Sequence, residues 1–224
     1  MTTPYETTKS QLLDAALTHV AFDGWSEATF QAAVTDAGIE SAMARAVCPR
    51  GAVDLAIADH HQGDAAMVER LVTEDLSELK FRDKIAAGVR FRLEAVTDKE
   101  AVRRGTALFA LPNHAADGAK LVWGTADKIW NTLGDTSTDV NWYTKRATLS
   151  GVYSSTVLFW LGDTSEGHEA TWAFLDRRIE NVMQFEQAKA GIRKSKLLGG
   201  LLDKVTEAVR APESRADMPG HINK

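Results

Sequence analysis

The chain has one cysteine among its 224 residues, Cys48. No intrachain disulfide can form, and a reducing compartment is the default expectation. Cys48 is followed by Pro49 and sits in no nucleophile motif, so it reads as a small buried side chain. There are only five prolines, Pro4, Pro49, Pro112, Pro212 and Pro219, and no run of alternating β-branched residues. That leaves long stretches of good helix formers between the breaks and excludes an all-β architecture. No apolar run approaches the roughly 20 residues of a spanning helix. The opening Met1–Glu6 lacks the basic and apolar regions of a signal peptide, and it lacks the Arg-rich amphipathic character of an organelle presequence. A cytoplasmic, bacterial protein is the expectation from these absences. Phosphate-loop spacing is also missing: Gly199-Gly200 lies in a Leu-rich segment without the required Lys. The net charge of −5 argues against broad attraction to nucleic acid.

What is present is helical periodicity from end to end, so the fold class is all-α. Leu12, Leu13, Ala16, Leu17 and Val20 form an apolar stripe on a helix predicted over Thr7–Phe22. Ser26 is placed to cap a second helix with Phe30, Ala33, Val34 and Ala37 inward. Gly38 turns the chain into a third, over about Glu40–Ala46, and a long fourth begins near Ala52. Further helices are predicted over Phe81–Val96, Asp98–Ala110, from Asn113 as cap to about Leu133, over Thr138–Leu161, His168–Lys189 and Ser195–Arg210. The division expected is a helix-turn-helix-like unit (1–50), a helical body (51–190) and a C-terminal amphipathic segment (191–224).

The run Leu12–Asp59 resembles the N-terminal part of TetR-type regulators in helix order and in the Gly at the turn. A DNA reader needs cations to neutralise phosphates. Over Asp23–Asp54, however, Asp23, Glu27, Asp36, Glu40 and Asp54 face only Arg45 and Arg50. The module therefore reads as a scaffold that binds no nucleic acid, with a ligand-responsive TetR-type regulator as the alternative function.

No catalytic or metal constellation stands out. His60 and His61 are adjacent and point about 100° apart on a helix, whereas chelation prefers i, i+3 or i+4. His19, His114 and His168 are isolated, and none belongs to the Glu-x-x-His element of di-iron bundles. An enzyme built from groups distant in sequence is the third reading.

Five of the six tryptophans, Trp123, Trp130, Trp142, Trp160 and Trp172, crowd the second half; Trp25 stands apart. Trp123 and Trp130 are expected in the core. Asp139, Trp142, Tyr143 and Arg146 fall at i, i+3, i+4 and i+7 of a helix and share one face. A face framed by charge is usually wet, and Trp, Tyr and Arg are the residues enriched at interface hot spots. This face is a candidate partner surface; the competing reading turns Trp142 inward and leaves Asp139 and Arg146 as an ordinary ion pair.

The segment Leu121-Val-Trp-Gly-Thr-Ala-Asp-Lys-Ile-Trp130, followed by Gly134-Asp-Thr-Ser-Thr-Asp-Val-Asn-Trp-Tyr-Thr-Lys-Arg-Ala-Thr-Leu149 and Val152-Tyr153, resembles the signature of the ninth Coq protein family. Weaker resemblance extends over most of the chain. It implies a TetR-like fold, a homodimer and an apolar pocket for a lipid, either an isoprenoid quinone precursor or a phospholipid, with no other cofactor. It also implies a non-catalytic accessory role in ubiquinone biosynthesis, serving the di-iron hydroxylase that acts on demethoxyubiquinone. By the motif match, Asp139, Trp142, Tyr143 and Arg146 become the hydroxylase-binding residues. The missing presequence departs from eukaryotic members and suggests a bacterial one, peripheral on the inner face of its membrane.

The last predicted helix aligns Leu197, Leu198, Leu201, Leu202, Val205 and Val209, while Arg193, Lys194, Lys196, Lys204 and Arg210 outnumber Asp203 and Glu207. A basic amphipathic helix suits a membrane interface, where each cation adds at most about 1 kcal/mol. Lys194, Lys196, Leu197, Leu198, Leu201, Leu202, Lys204 and Val205 are the expected membrane contacts; docking on the body or on a dimer partner is the alternative.

Overall fold

The computed structural model describes residues 3–193. Among them are nine α-helices and no strand: α1 (Pro4–Asp23), α2 (Glu27–Asp36), α3 (Ser41–Val47), α4 (Ala52–Thr73), α5 (Phe81–Glu94), α6 (Lys99–Phe109), α7 (Ala115–Thr132), α8 (Val140–Gly162) and α9 (Glu169–Arg193). None of these is long and apolar enough to cross a membrane. Expected and observed boundaries differ where caps decide them. α1 starts three residues early because Thr3 and Glu6 close a reciprocal capping box with Pro4 in the first turn. Ser26 caps α2 as expected, its hydroxyl accepting from the Thr29 amide. Gly38, at φ +63°, makes the left-handed turn before α3. Asn113 does not cap α7: His114 occupies that position without a side-chain bond to the helix.

The helices bury two apolar cores. The first joins Leu12, Ala16 and Val20 of α1 to Phe30 and Ala33 of α2, Ala44 of α3 and Leu55 of α4. It also takes in Ala101 of α6, whose carbonyl accepts from the Trp25 indole at 3.1 Å. The second gathers Met67 and Leu71 of α4, Val89 and Leu93 of α5, Ala126 and Ile129 of α7, Leu149, Val152 and Trp160 of α8, and Leu175 and Ile179 of α9. Helix α4 runs through both, at 22 residues about 33 Å long. Packing therefore does not divide at residue 50, because α4 and α6 complete the first core. α5 and α7 approach closely at Gly88, where an added Cβ would lie 3.0 Å from Ile129 Cγ2. Between the two cores, where α4, α5, α6, α7 and α8 converge, the side chains leave a cavity.

Candidate ligand pocket and partner surface

The cavity measures about 430 Å³, toward the lower end of the roughly 300–1,000 Å³ of small-molecule sites. Its walls are mainly apolar: Ala56 of α4, Leu93 of α5, Val102 and Phe109 of α6, Leu121 and Val122 of α7, and Val157 and Leu158 of α8. Leu158 is 61% exposed, which sets it at the rim. Gly105 and Gly118 lie where α6 meets Trp25 and where α7 meets Phe109, so their lack of a side chain keeps space open at the wall.

The other end of the pocket is polar, through Asp59, His60, Arg92, Tyr153 and Ser154. Behind it stands a network the sequence reading did not find. Asp64, wholly buried on α4, accepts from Arg92 Nε of α5 at 2.9 Å, from Thr125 Oγ1 of α7 at 2.8 Å and from Lys128 Nζ at 2.8 Å. Burial works to raise the Asp64 pKa, but the facing His61 and His60, the Lys128 ammonium and the Arg92 guanidinium hold it well below the usual carboxylate range. His60 Nε2 meets Thr125 Oγ1 at 2.8 Å. Burial first, and then the Arg92 charge, push the His60 pKa down to about 4, so its imidazole is neutral at physiological pH. Burial likewise raises the Tyr153 phenol and the Asp59 carboxyl, the latter helped by Asp98 and opposed by Arg92. A second cavity of about 360 Å³ lies on the far side of Asp59, Arg92, Val96, Ala101 and Val102, which line both.

The partners of Asp64 come from two other helices, α5 and α7, and lie 28, 61 and 64 residues away in sequence, so no local pattern announces them. One signal was available. His60 and Asp64 are at i and i+4, and their side chains approach to 3.6 Å. Among the described residues no cluster of His, Cys, Asp and Glu is arranged to hold a metal ion.

The proposed partner surface is only partly as expected. Trp142 and Tyr143 are half-buried near the start of α8, with ring centroids 4.8 Å apart and edge-to-face. Trp123, expected in the core, is half-buried instead and joins them from α7, 5.9 Å from Trp142 and 6.5 Å from Tyr143. Trp130 is also half-buried; its indole donates to the Lys145 carbonyl and its ring faces Phe81. Asp139 is exposed and caps α8, accepting from the Asn141 amide at 2.9 Å.

Arg146 corrects the reading. It is fully buried, although the helical spacing set it on the wet face with Trp142. Its guanidinium donates to Asp127 and Asp135, to Asn131 Oδ1 at 2.8 Å and to the Trp142 carbonyl at 3.2 Å, and its Cζ lies 4.0 Å from the Trp142 ring centre. The α7–α8 connection folds Asp135 back over α8, which covers this residue but not its neighbours. Nor does Arg146 pair with Asp139, as the competing reading had it. Arg146 supports the aromatic patch from beneath and does not reach a partner. Lys194, Lys196, Leu197, Leu198, Leu201, Leu202, Lys204 and Val205, the expected membrane contacts, lie outside the described residues.

Over Asp23–Asp54 both cations are spoken for. Arg45 pairs with Glu27 and lies over the Phe30 ring, and Arg50 bridges Asp54 and Asp117.

The comparisons bear on this geometry. Residues 115–186, which hold α7, α8 and the aromatic patch, match the COQ9 family model. The chain is 33% identical over 185 residues to the mitochondrial ubiquinone biosynthesis protein COQ9 of Drosophila melanogaster, covering 80% of this chain and 56% of that protein. It is 32% identical to COQ9-A of Xenopus laevis and 28% identical to COQ9 of Homo sapiens, each over 189 residues, 80% of this chain and 58% of the relative. The chain thus spans little more than half the length of these curated relatives. Among solved structures, a TetR transcriptional regulator from Nitrosomonas europaea superposes with a TM-score of 0.64 at 17% identity, covering 78% of this chain and 97% of that one. At that identity the likeness speaks to fold alone. The expectation of a cytoplasmic protein at a bacterial membrane does not stand: these curated relatives are named as mitochondrial proteins of eukaryotes. With the family model matched over residues 115–186 and the likeness running through four-fifths of its length, this chain carries a COQ9-family domain on a TetR-like all-α fold.

Proposed function

We propose that the chain serves ubiquinone biosynthesis as a non-catalytic lipid-binding accessory protein. It takes an isoprenoid quinone precursor into the pocket between its two cores and presents it to the di-iron hydroxylase that acts on demethoxyubiquinone. The observation that carries this reading is the pocket itself, apolar-walled with a few convergent polar groups at one end, as lipid and cofactor sites generally are. The aromatic patch of Trp123, Trp142 and Tyr143 supports the docking role, since such half-exposed clusters fit interface hot spots. The basic, Leu-rich segment 195–210 supports delivery from a membrane surface. The stacked Phe159 and Phe174, whose centroids are 4.5 Å apart, give α8 and α9 an apolar face suited to a second copy in a homodimer. A regulator of transcription is the weaker reading, because Arg45 and Arg50 are neutralised within the unit that would meet DNA.

Mass spectrometry of lipid extracted from the purified chain tests the proposal. Isoprenoid species should be enriched over the host membrane, and Leu158→Glu at the rim should lose them while keeping the thermal transition. Extracts without isoprenoids from a folded protein would overturn the reading.

A further inference from the structure

The volume of the pocket limits how much of a lipid it can hold. At the packing density of protein interiors a non-hydrogen atom takes about 20–25 Å³, so a cavity of about 430 Å³ accommodates about 17–21 of them. A substituted six-membered ring uses about 10–12, and each isoprene unit adds five carbons, so a ring and about two units fill the space.

The walls say which part lies where. Arg92 and Tyr153 are buried and mark the polar floor, whereas Ala110 and Leu158 are exposed and mark the mouth. Between them the lining is apolar, through Leu93, Val102, Phe109, Leu121, Val122 and Val157. Along α6 the lining runs from the buried Ala101 to the exposed Ala110, a rise of about 13.5 Å. An extended isoprene unit spans about 5 Å, at about 1.2 Å per bond. Depth therefore agrees with volume: with a ring on the floor, the tail reaches the mouth after about two units. A longer tail finds no comparable space in the second cavity. Its lining adds Asp14, Gln62, Thr97 and Asp98 to the shared wall, and an isoprenoid there would desolvate these groups without pairing them.

Building on the lipid-pocket reading above, we propose that the pocket grips only the ring and about the first two isoprene units of its ligand, and that the rest of the tail leaves over Ala110 and Leu158. The ligand class is then the ring-bearing isoprenoids whatever their total tail length. Selection rests on the head and its first units, and the outer tail stays outside the helical body while the head is held.

Isothermal titration of the full chain, stripped of copurified lipid, tests this with four probes. Each is a benzoquinone carrying one, two, three or four isoprene units, ended by a triethylene glycol ether that keeps it in solution. Affinity should rise at least about tenfold from one unit to two, because the second unit is buried against apolar walls. From two to three, and from three to four, it should change by less than about threefold, since those units and the hydrophilic end lie outside. Val122→Phe adds four carbons to the wall, about 80–100 Å³, and should move the plateau from two units to one. Circular dichroism confirms the fold of this variant, and the series on the unaltered chain decides the matter without it. Gains of tenfold that continue from three units to four, no gain from one to two, or an unmoved plateau in folded Val122→Phe would each overturn the proposal while leaving a lipid pocket in place. Failure of all four probes to bind would overturn it together with the lipid-pocket reading.

Discussion

Replacing Arg146 with Met separates a supporting residue from a contact residue. The Met side chain fills much of the same volume but removes the guanidinium donors, leaving Asp135, whose side chain is 2% exposed, without one of its two charged partners. Breaking a buried pair from one side costs about 3–5 kcal/mol. Two features pull toward the lower end: Lys145 still holds Asp135 Oδ1 at 2.8 Å, and Asp127 is a third exposed and can return to water. A loss of about 3 kcal/mol is the result, a large part of the roughly 5–15 kcal/mol that stabilises most domains. With a urea m-value of about 2–3 kcal/mol/M, the midpoint should fall by about 1–1.5 M. Adding Asp135→Asn should restore part of that loss, because the double variant no longer buries an uncompensated charge. A midpoint shift below about 0.3 M, combined with loss of hydroxylase binding, would refute the argument and return Arg146 to the partner surface.

Trp142→Ala removes part of the half-buried aromatic patch. It should cost less stability than Arg146→Met in the same urea titration, yet abolish capture of the di-iron hydroxylase in a pull-down. The His60 pKa falls from its ordinary 6.5 to about 4 on folding, so between these values the unfolded chain takes up a proton that the folded one refuses. Stability should therefore rise with pH across that window, by on the order of 3 kcal/mol in total. Below it, loss of the ionised Asp64 and Asp135, both held well under the usual carboxylate range, continues the decline. Denaturation midpoints for the unaltered chain and His60→Gln read this directly, and the variant should show the smaller slope between pH 6.5 and about 5, before the carboxylates begin to titrate. Gly88→Ala sets a Cβ against Ile129 where α5 meets α7, and should lower the thermal transition by the equivalent of about 1–3 kcal/mol.

The helices could be read from the chain because what makes them is local. Capping residues such as Ser26 and apolar repeats such as Leu12, Ala16 and Val20 act within a few residues of themselves, so their meaning survives without neighbours. The aromatic patch was legible for the same reason, since Trp142 and Tyr143 share a face by helical spacing alone. Its edges were not. Spacing sets the side of α8 on which Arg146 lies, but what covers that side is Asp135, brought back by the turn after α7, together with Asp127 and Asn131. The pocket floor went unseen on the same ground. Asp64 is an unremarkable acid in an amphipathic helix until α5 and α7 deliver Arg92, Thr125 and Lys128 to it, and a buried charge keeps its ionised form only where such partners converge. Sequence alone determined the helical class and the family likeness. Tertiary packing decided which charges are buried, where the cavity opens and which way its hydrogen-bonding atoms face, because those depend on groups far apart along the chain.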